Sequence, residues 1–383
     1  MSKSPAAEPY DFAVIGAGIA GASVAAHLAE TRRVVMLEQE SAPGRHATGR
    51  SAAIFSEIYG PPPVRALSRA SRAFFEAPPE AFSAAPLMRR RGVMWIARAD
   101  QIDRLKDHAA NPDVAAQARW ISADEAVALN PILRRDYLAA ALFEPEAQDL
   151  DVDALHQGYL RRFRAGGGAL RLDAQATLFT SSPEGWRITL ANGETLVAKV
   201  LVNATGAWAD EVAAKAGRRE VGLTPARRTA VLVDPPAGLD PSSWPMVVDT
   251  DEQFYWKPDA GRLFLSPADE TPSPPCDAYP DEMDIAIAVD RVEQAATLEV
   301  KRIFAKWAGL RTFVPDRAPV VGFDTPERDF FWLAGQGGYG IQTAPALARV
   351  AAALAQGASP PQDILDAGLD IGAISPTRPS LTP

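Results

Sequence analysis

Three glycines and one acid near the start of the chain have the types and spacing of a phosphate-binding site. Gly16, Gly18 and Gly21 follow the apolar run Tyr10–Ile15, and Glu38 lies 22 residues after Gly16. Glycine permits a tight turn and a close backbone approach, and unpaired N–H groups at the start of the next helix bind phosphate. The pattern predicts a dinucleotide site. Glu38 is expected to bind the ribose, and an acid there favours an unphosphorylated ribose.

The rest of the chemistry is expected to come from one arginine and from a bound cofactor. Nucleophile elbows, HExxH motifs, Walker loops and metal-spaced histidine clusters do not occur in the sequence, and the four histidines are scattered. The reaction is therefore expected to come from a cofactor rather than from a side-chain nucleophile or a metal. Arg311 is the natural anchor for a substrate carboxylate, because a guanidinium binds one bidentately and keeps its charge in a partly dry site.

Hydrophobic periodicity predicts the elements that position these residues. The glycine turn is expected between a strand at 10–15 and a helix at 22–29, with a strand at 33–37 and a helix opening at 51–53. Further helices are expected at 64–75, 122–129, 154–163, 284–298 and 344–355. Further strands are expected at 169–172, 176–179, 186–190, 194–197, 200–203, 228–233, 253–257, 262–266 and 302–313.

A second glycine-rich loop precedes the predicted C-terminal helix. Gly335, Gly337, Gly338 and Gly340 are expected to expose backbone N–H groups just before that helix. Such a helix N-terminus stabilises negative charge on a group beside it.

Several sequence blocks together resemble one known family. They are VIGAGIAGAS at 14–23, GRHATGRSAA at 44–53, LVNATGAWAD at 201–210, and WAGLRTFVPD at 307–316 with AGQGGYGIQT at 334–343. Over almost its whole length the chain is similar to the D-amino acid oxidase and glycine oxidase family of FAD-dependent oxidoreductases. Within that family it most resembles the bacterial D-arginine dehydrogenase type.

The resemblance implies an α/β fold, α+β overall, with two domains. One is a Rossmann-like FAD-binding domain of the glutathione reductase and D-amino acid oxidase type, and the other is an antiparallel-sheet substrate domain. The FAD-binding domain is expected to be discontinuous, with segments 10–90, 150–222 and 315–365. The substrate domain takes 91–149 and 223–314, and 366–383 form a C-terminal tail of irregular structure.

The same resemblance implies FAD that is held without a covalent bond. Some relatives attach the flavin through a histidine near His46, but the surrounding block matches the non-covalent type. Cys276 lies far from the C-terminal blocks in the sequence, so a thioether link is not expected. The residues expected to contact FAD are Gly16, Gly18, Ile19, Ala20, Gly21, Glu38, Gln39, Arg45, Thr48, Arg50, Ser51, Ala52, Ala53, Ala204, Thr205, Gly206, Trp208, Gly309, Arg311, Gly337, Gly338, Tyr339, Gly340, Ile341 and Gln342.

Substrate contacts also follow from the resemblance. Arg311 and Tyr255 match residues that bind the substrate carboxylate, and the backbone of Gly338 matches an acceptor for the substrate amine. The remaining positions that match the substrate pocket are Tyr59, Val93, Arg228 and Gln342.

Val93 departs from the D-arginine dehydrogenase type, in which an acidic residue at this position receives the substrate guanidinium. Nearby, Ile54 replaces a polar position. A buried cation without its partner costs several kcal/mol, and the arginines at 89–91 would repel it further if they lay near the pocket. We therefore expect neutral, hydrophobic or aromatic D-amino acids as substrates, with D-arginine and D-lysine poor ones.

The expected reaction is oxidative deamination of D-amino acids. Hydride transfer from Cα to the flavin would give an imino acid, which hydrolyses to a 2-oxo acid and ammonia. Oxidation of a secondary amine, such as sarcosine or an opine, or of a 2-hydroxy acid remains open in the same fold. A non-catalytic flavoprotein subunit or sensor is a second alternative. The sequence leaves open whether a quinone, oxygen or a redox protein accepts the electrons.

Composition narrows the partners and the location. With 39 Lys+Arg against 48 Asp+Glu the formal net charge is −9, which argues against nucleic acid as a partner. Cys276 is the only cysteine, which excludes an internal disulfide and indicates a reducing cytoplasm. The stretch Met1–Pro9 is polar, and no apolar run reaches the ~18 residues of a membrane span. Neither export nor spanning is expected, while peripheral attachment to the inner membrane face stays open.

Overall fold

The structure, a computed structural model, describes residues 8–381, so residues 1–7 of the polar N-terminal stretch and 382–383 of the predicted tail lie outside it. Strands β1 to β20, numbered in chain order, are Tyr10–Ile15, Val34–Leu37, Ile54–Phe55, Met88–Arg90, Val93–Ala97, Arg119–Ile121, Ala140–Glu144, Gln148–Leu150, Ala169–Arg171, Ala176–Ser182, Gly185–Leu190, Thr195–Asn203, Thr224–Val233, Met246–Asp249, Tyr255–Asp259, Arg262–Ser266, Thr271–Pro272, Ile303–Phe313, Val320–Phe323 and Phe330–Ala334. Helices α1 to α10 are Ile19–Leu28, Pro62–Glu76, Ile102–Ala110, Pro112–Gln117, Ala123–Leu129, Val152–Ala165, Ala209–Lys215, Glu282–Ala295, Gly340–Ala355 and Gln362–Asp366.

The first sheet is built around parallel strands that lead into the glycine turn. Its order is β10-β11-β12-β1-β2-β9, with β20 parallel to β12 and β19 antiparallel to β20. Successive residues of β1 pack on opposite faces: Phe12 and Val14 face one apolar core, and Ala13 and Ile15 face another. Strands that are covered on both faces have continuous apolar sequences, which explains the run that precedes Gly16.

Helices cover one face of this sheet, and α1 begins over the glycine turn. Buried residues of α1, α2, α6 and α9 share a single core with β1 and β2. Gly21 allows the close packing of α1 on the turn, because a Cβ added there would lie 1.9 Å from the Gly16 carbonyl oxygen. The N-terminus of α1 is therefore held at the carboxyl end of β1.

The second sheet is largely antiparallel, with the order β17-β13-β16-β15-β14-β5-β7-β6 and β18 on β13. It differs from the expectation at one pairing, since β14 and β5 are parallel. Successive residues of each strand again lie on opposite faces of the sheet. Val93 and Trp95 lie on one face, while Met94 and Ile96 pack with α8 in the core behind the other.

The chain changes sheet near each predicted domain border. β3, β8 and β4 form a small third sheet, and the chain enters the second sheet between 90 and 93 and leaves it between 144 and 148. It enters again at 224 and returns to the first sheet between 313 and 320. The borders themselves stay a prediction.

Across residues 8–381 no helix is both long and apolar enough to cross a membrane.

Two local predictions were wrong, and tertiary pairing explains both. The strands expected at 194–197 and 200–203 are one strand, β12, because its first half pairs with β11 and its second half with β1 and β20. Residues 51–53 do not open a helix. The Ala53 carbonyl accepts a hydrogen bond from the Leu150 N–H, and the chain continues into β3 against β8.

The tail is more ordered than expected. It follows α10, and its Arg378 is only 6% exposed. The Arg378 guanidinium donates to both carboxylate oxygens of Asp316, at 2.6 and 2.8 Å, and to the carbonyl oxygens of Ala318 and Pro319. The tail is thus fixed beside the loop between β18 and β19.

Replacing Asp316 by Asn should lower the stability at neutral pH by about 2 kcal/mol. Burial raises the pKa of Asp316, but hydrogen bonds from Arg378 and Ser380 outweigh it and lower the pKa to about 2. Such a carboxyl group stabilises the fold above its unfolded pKa and loses this effect as the pH falls to the folded value. The difference in Tm between wild type and Asp316→Asn should therefore shrink as the pH falls from about 4 to about 2.

Asp363→Asn is the matched control, because it removes an exposed ion pair with Arg349. Exposed pairs contribute little to stability, so its Tm should stay close to that of the wild type. Equal losses in both variants would contradict the role of Asp316.

Candidate functional site

A cavity of about 390 Å³ lies between the first and second sheets. One end is lined by the glycine turn after β1 and by the end of β2, and the other by β18, the loop before α9 and the second sheet. The carboxyl ends of parallel strands are the usual ligand side of such a sheet. The cavity therefore joins the two halves of the predicted site.

At the first end, the acid after β2 supports the glycine turn. The Glu38 carboxylate accepts a hydrogen bond from the Ala17 N–H at 2.8 Å, and Glu38 is buried. The Thr48 hydroxyl oxygen accepts from the Ile19 N–H at 2.9 Å. A Cβ added to Gly18 would lie 3.2 Å from that hydroxyl oxygen, so glycine keeps this approach open.

The loop that carries Arg45 and Arg50 is tied to a segment from the second-sheet part of the chain. Asp277 forms ion pairs with Arg45, at 3.2 Å, and with Arg50. Arg50 also donates to the carbonyl oxygens of Ala278 and Ala308 at 3.0 and 2.9 Å. Both arginines line the cavity, but these guanidinium contacts are with protein groups.

His46 and Cys276 both line the cavity. His46 Nε2 lies 2.9 Å from a Glu40 carboxylate oxygen, and its ring is 4.8 Å from the Trp208 ring. Cys276 packs near Trp208 and Ala278. Although Cys276 is far from the C-terminal blocks in the sequence, it lines the same cavity as they do.

At the second end, the glycine loop before α9 packs against Arg311. A Cβ on Gly338 would lie 2.9 Å from the Arg311 guanidinium carbon, and one on Gly337 would lie 2.1 Å from the Phe313 ring. The Gly337 N–H donates to the Thr312 carbonyl at 3.0 Å. These contacts hold the N-terminus of α9 beside the guanidinium.

Arg311 is a cation of this cavity that has no carboxylate partner among the described residues. Its guanidinium donates to the Tyr59 hydroxyl at 3.4 Å, and it forms no ion pair with an Asp or Glu within residues 8–381. Burial acts to lower its pKa, but the phenols of Tyr59 and Tyr255 outweigh this and raise the pKa. The group therefore stays charged and can bind an anion.

Arg228 and Tyr255 complete the charged end of the cavity. Arg228 donates to the Asp269 carbonyl at 2.7 Å and pairs with Glu270 at 3.1 Å, a carboxylate that it shares with Arg317. Burial acts to raise the pKa of the Tyr255 phenol, but Arg311 and Arg228 lower it overall. Tyr255 is thus a strong hydrogen-bond donor next to the unpaired Arg311.

Apolar side chains from several elements line the cavity near this anchor. They are Ile54, Val93, Trp95, Met246, Val248 and Phe264, which we call the apolar wall. Sequence analysis found only Val93 and Ile54. β5 and β14 are adjacent and parallel, with Val93 opposite Met246 and Trp95 opposite Val248. The alternation of side chains between the two faces of each strand could be inferred from the sequence, but the pairing of β5 with β14 could not.

Ser56 and Glu144 form a buried polar pair at the edge of the apolar wall, and sequence analysis missed both. Ser56 lines the cavity, and its hydroxyl donates to the Glu144 carboxylate at 2.9 and 3.0 Å. Glu252 also lines the cavity and is exposed. The hydroxyl of Ser56 and the carboxylate of Glu252 are therefore polar groups next to an otherwise apolar surface.

Nearly every residue predicted for the site lines this one cavity, and Gly21 and Tyr339 are the exceptions. Gly21 packs α1 on the turn, so its role is in the fold. Tyr339 points away because its ring packs among Tyr59, Val64 and Phe313. Gln342 lines the cavity as expected, but its amide is bonded on both sides, to the Ser56 N–H and to the hydroxyl of Ser68.

The cavity fits FAD. Glycine leaves room along it: a Cβ on Gly16 would lie 2.7 Å from the Ala204 carbonyl oxygen. The α1 N-terminus suits a pyrophosphate and Glu38 a ribose, while the loop before α9 suits the flavin ring. Gln336 also lines the cavity, and its buried amide nitrogen has no hydrogen-bond partner in the described part of the chain.

Similar proteins have the same fold. Glycine oxidase of Geobacillus kaustophilus is 24% identical over 88% of this chain and 90% of its own. Its crystal structure gives a TM-score of 0.81 at 23% identity, over 92% of this chain and 96% of that one. L-Proline dehydrogenase from P. horikoshii gives 0.79 at 21% identity, over 92% and 95% of the two chains. L-α-Glycerophosphate oxidase from Mycoplasma pneumoniae, solved with FAD bound, gives 0.80 at 16% identity, over 91% and 95%.

These likenesses confirm the expected fold class. The family described as FAD dependent oxidoreductase matches residues 11–354, which is most of the chain. The match covers both the glycine turn and the loop before α9. The chain therefore belongs to the FAD dependent oxidoreductase (DAO) family and is a FAD-binding oxidoreductase.

Proposed function

We propose that this protein catalyses the oxidative deamination of D-amino acids with neutral side chains. One observation carries the proposal: the unpaired guanidinium of Arg311 lies between the loop before α9 and the apolar wall. A carboxylate bound there would place its side chain along apolar surface. When bound, FAD supplies the hydride acceptor for Cα. The preference for the D-enantiomer rests on the resemblance to the D-arginine dehydrogenase type.

Arg311 and Tyr255 would hold the substrate carboxylate. Arg311 offers two parallel N–H donors, and the pKa of Tyr255 is lowered by the same guanidinium and by Arg228. Tyr59 lies within hydrogen-bond distance of Arg311 and closes the same end. The Gly338 carbonyl would accept a hydrogen bond from the amine. Two fixed points then orient Cα towards the flavin position.

Non-covalent binding of FAD is part of the proposal. His46 is hydrogen-bonded to Glu40 and packed on Trp208, so it has a structural role of its own. The residues that line the cavity around α1, β2 and the loop before α9 would make the contacts expected from the sequence. Removal of the flavin by mild denaturation should therefore leave a protein that can bind FAD again.

The apolar wall would set the choice of side chain. Val93 supplies no charge, and the cavity face of β14 adds Met246 and Val248. A cationic side chain placed against these apolar groups would lose its hydration, and the carboxylate of Glu252, which also lines the cavity, is exposed and screened by water. Neutral D-amino acids are therefore the proposed substrates.

Anaerobic mixing tests the proposed reaction. Neutral D-amino acids should bleach the FAD absorbance quickly, and their L-enantiomers and D-arginine should do so slowly. Sarcosine, L-proline and 2-hydroxy acids in the same series test the alternative donors. Bleaching by those compounds alone would replace the substrate but keep the fold, and no bleaching by any of them would favour a non-catalytic flavoprotein.

Replacing Arg311 by Met should reduce kcat/KM by roughly 100-fold, which corresponds to about 3 kcal/mol for a lost charged pair. Arg311→Lys should recover only part of this loss, because an ammonium group cannot bind a carboxylate bidentately. Stopped-flow flavin reduction against substrate concentration measures both values.

Arg227→Met is the matched control for the Arg311 variants. Arg227 is adjacent to Arg228 on β13 but pairs with Asp284, and it does not line the cavity. Its kcat/KM should stay close to the wild-type value. If Arg227→Met and Arg311→Met lose the same activity, Arg311 is not the carboxylate anchor.

Val93→Glu should improve kcat/KM for D-arginine relative to D-leucine. Val93 lies directly opposite Glu144 on β7, so the new carboxylate would have a like-charged neighbour. The gain should therefore be larger in the double variant Val93→Glu/Glu144→Gln than in the single one. Val93→Gln, which adds the same bulk without charge, is the control and should give no such gain. No improvement in either acidic variant would contradict the substrate pocket assigned to Val93.

A further inference from the structure

Glu144 is a buried acid beside the substrate cavity. It is 3% exposed and ends β7, where it lies opposite Val93 on the antiparallel strand β5. Directly opposite residues of antiparallel strands place their side chains on the same face. The chain therefore carries a carboxyl group one strand away from Val93, the position at which the related type has an acid.

Ser56 connects this carboxyl group to the cavity. Its hydroxyl lies 2.9 and 3.0 Å from the two carboxylate oxygens of Glu144, and Ser56 lines the cavity two residues after Ile54. The Ser56 backbone N–H donates to the Gln342 side-chain oxygen at 3.1 Å. The backbone is thus fixed separately from the hydroxyl, and the hydroxyl proton is used by Glu144.

The charges around Glu144 do not balance it. Within residues 8–381 no basic side chain lies within ion-pair distance of it. Arg72 is the cation that acts on it, but Arg72 is paired with Glu57 and Glu76, and the Glu57 charge acts in the opposite sense. Burial raises the pKa of Glu144 to about 7, against the hydrogen bond from Ser56.

Resting on the proposed function, we propose that Ser56, polarised by Glu144, is a hydrogen-bonding subsite that selects neutral D-amino acids whose side chain ends in a hydrogen-bond donor. A serine hydroxyl has one proton and two lone pairs. Because Glu144 takes the proton, the lone pairs of Ser56 are left for the cavity. A phenol or amide N–H that reaches the end of the apolar wall would donate to this oxygen.

The protonation state of Glu144 decides whether Ser56 accepts or donates a hydrogen bond towards the cavity, so the selectivity of this subsite depends on pH. Above about pH 7 the ionised carboxylate accepts the Ser56 proton, and Ser56 acts as an acceptor towards the cavity. Below that pH the protonated Glu144 can donate to Ser56, whose own proton then turns to the cavity. Preference for donor side chains should therefore rise with pH across this range.

Isosteric substrate pairs test the subsite. D-Tyrosine against D-phenylalanine, and D-asparagine against D-leucine, differ in a terminal donor at nearly the same size. In the wild type at pH 8 the donor member should have the higher kcat/KM by about 3- to 10-fold, the usual effect of one hydrogen bond. The ratio should fall at pH 6.

Ser56→Ala should abolish the difference at both pH values, and it leaves the backbone bond to Gln342 intact. Glu144→Gln should hold the ratio near its low-pH value at all pH values. Ser68→Ala is the matched control: Ser68 is a buried hydroxyl on the other side of Gln342 that does not line the cavity. The Ser68→Ala variant should show the same preference for donor side chains as the wild type. This result would show that loss of the preference in Ser56→Ala is not caused by disturbing Gln342.

A binding measurement tests the same subsite without turnover. 3-(4-Hydroxyphenyl)propanoate should bind more tightly than 3-phenylpropanoate, measured from the change in flavin absorbance, and Ser56→Ala should remove the difference. The subsite would be overturned if the wild type showed no preference for ligands that end in a hydrogen-bond donor. It would also be overturned if Ser56→Ala and Glu144→Gln left that preference unchanged. If D-amino acids fail to reduce the flavin at all, the proposed function fails instead. The propanoate pair still decides the donor preference in that case.

Discussion

A guanidinium that is held in the cavity without a carboxylate partner is the constraint on which the rest of the site depends. An unpaired charge away from water is costly, so its neighbours must stabilise it without neutralising it. Tyr59 and Tyr255 do so with hydroxyl groups, while Glu270 forms its ion pairs with Arg228 and Arg317 rather than with Arg311. The long pairing of β18 with β13 fixes the backbone that carries Arg311.

The same constraint explains the glycine loop before α9. The guanidinium packs so closely on Gly338 that a Cβ there would approach within 2.9 Å of it. Gly337 is likewise required by the Phe313 ring and has a φ of +54°, which favours glycine. Anchor and helix N-terminus are therefore one unit, and a ligand bound to Arg311 lies beside the N–H groups of that helix by necessity.

The FAD-binding part of the fold was predictable because its signals are local. Gly16, Gly18 and Gly21 act on a turn and a helix that are contiguous in the sequence, and the apolar run of β1 reflects burial on both faces. The substrate end was less predictable, because it depends on which strands become neighbours. Met246 lies beside Val93 across more than 150 residues of sequence, and only the pairing of β14 with β5 shows it. The errors at 51–53 and in β12 have the same origin, since a partner strand overrode the local preference.

Val93 shows how a correct local observation can lead to an incomplete inference. The sequence places a branched alkyl group where the related type has an acid, and in isolation this implies an uncharged pocket. The sheet adds Glu144 directly across from it, with Ser56 between that carboxyl group and the cavity. A carboxylate in contact with substrate would attract cations, whereas one behind a hydroxyl orients a neutral dipole instead. In the proposed subsite the carboxyl group of Glu144 therefore acts through Ser56, and its expected effect is hydrogen-bond selection rather than attraction of cations.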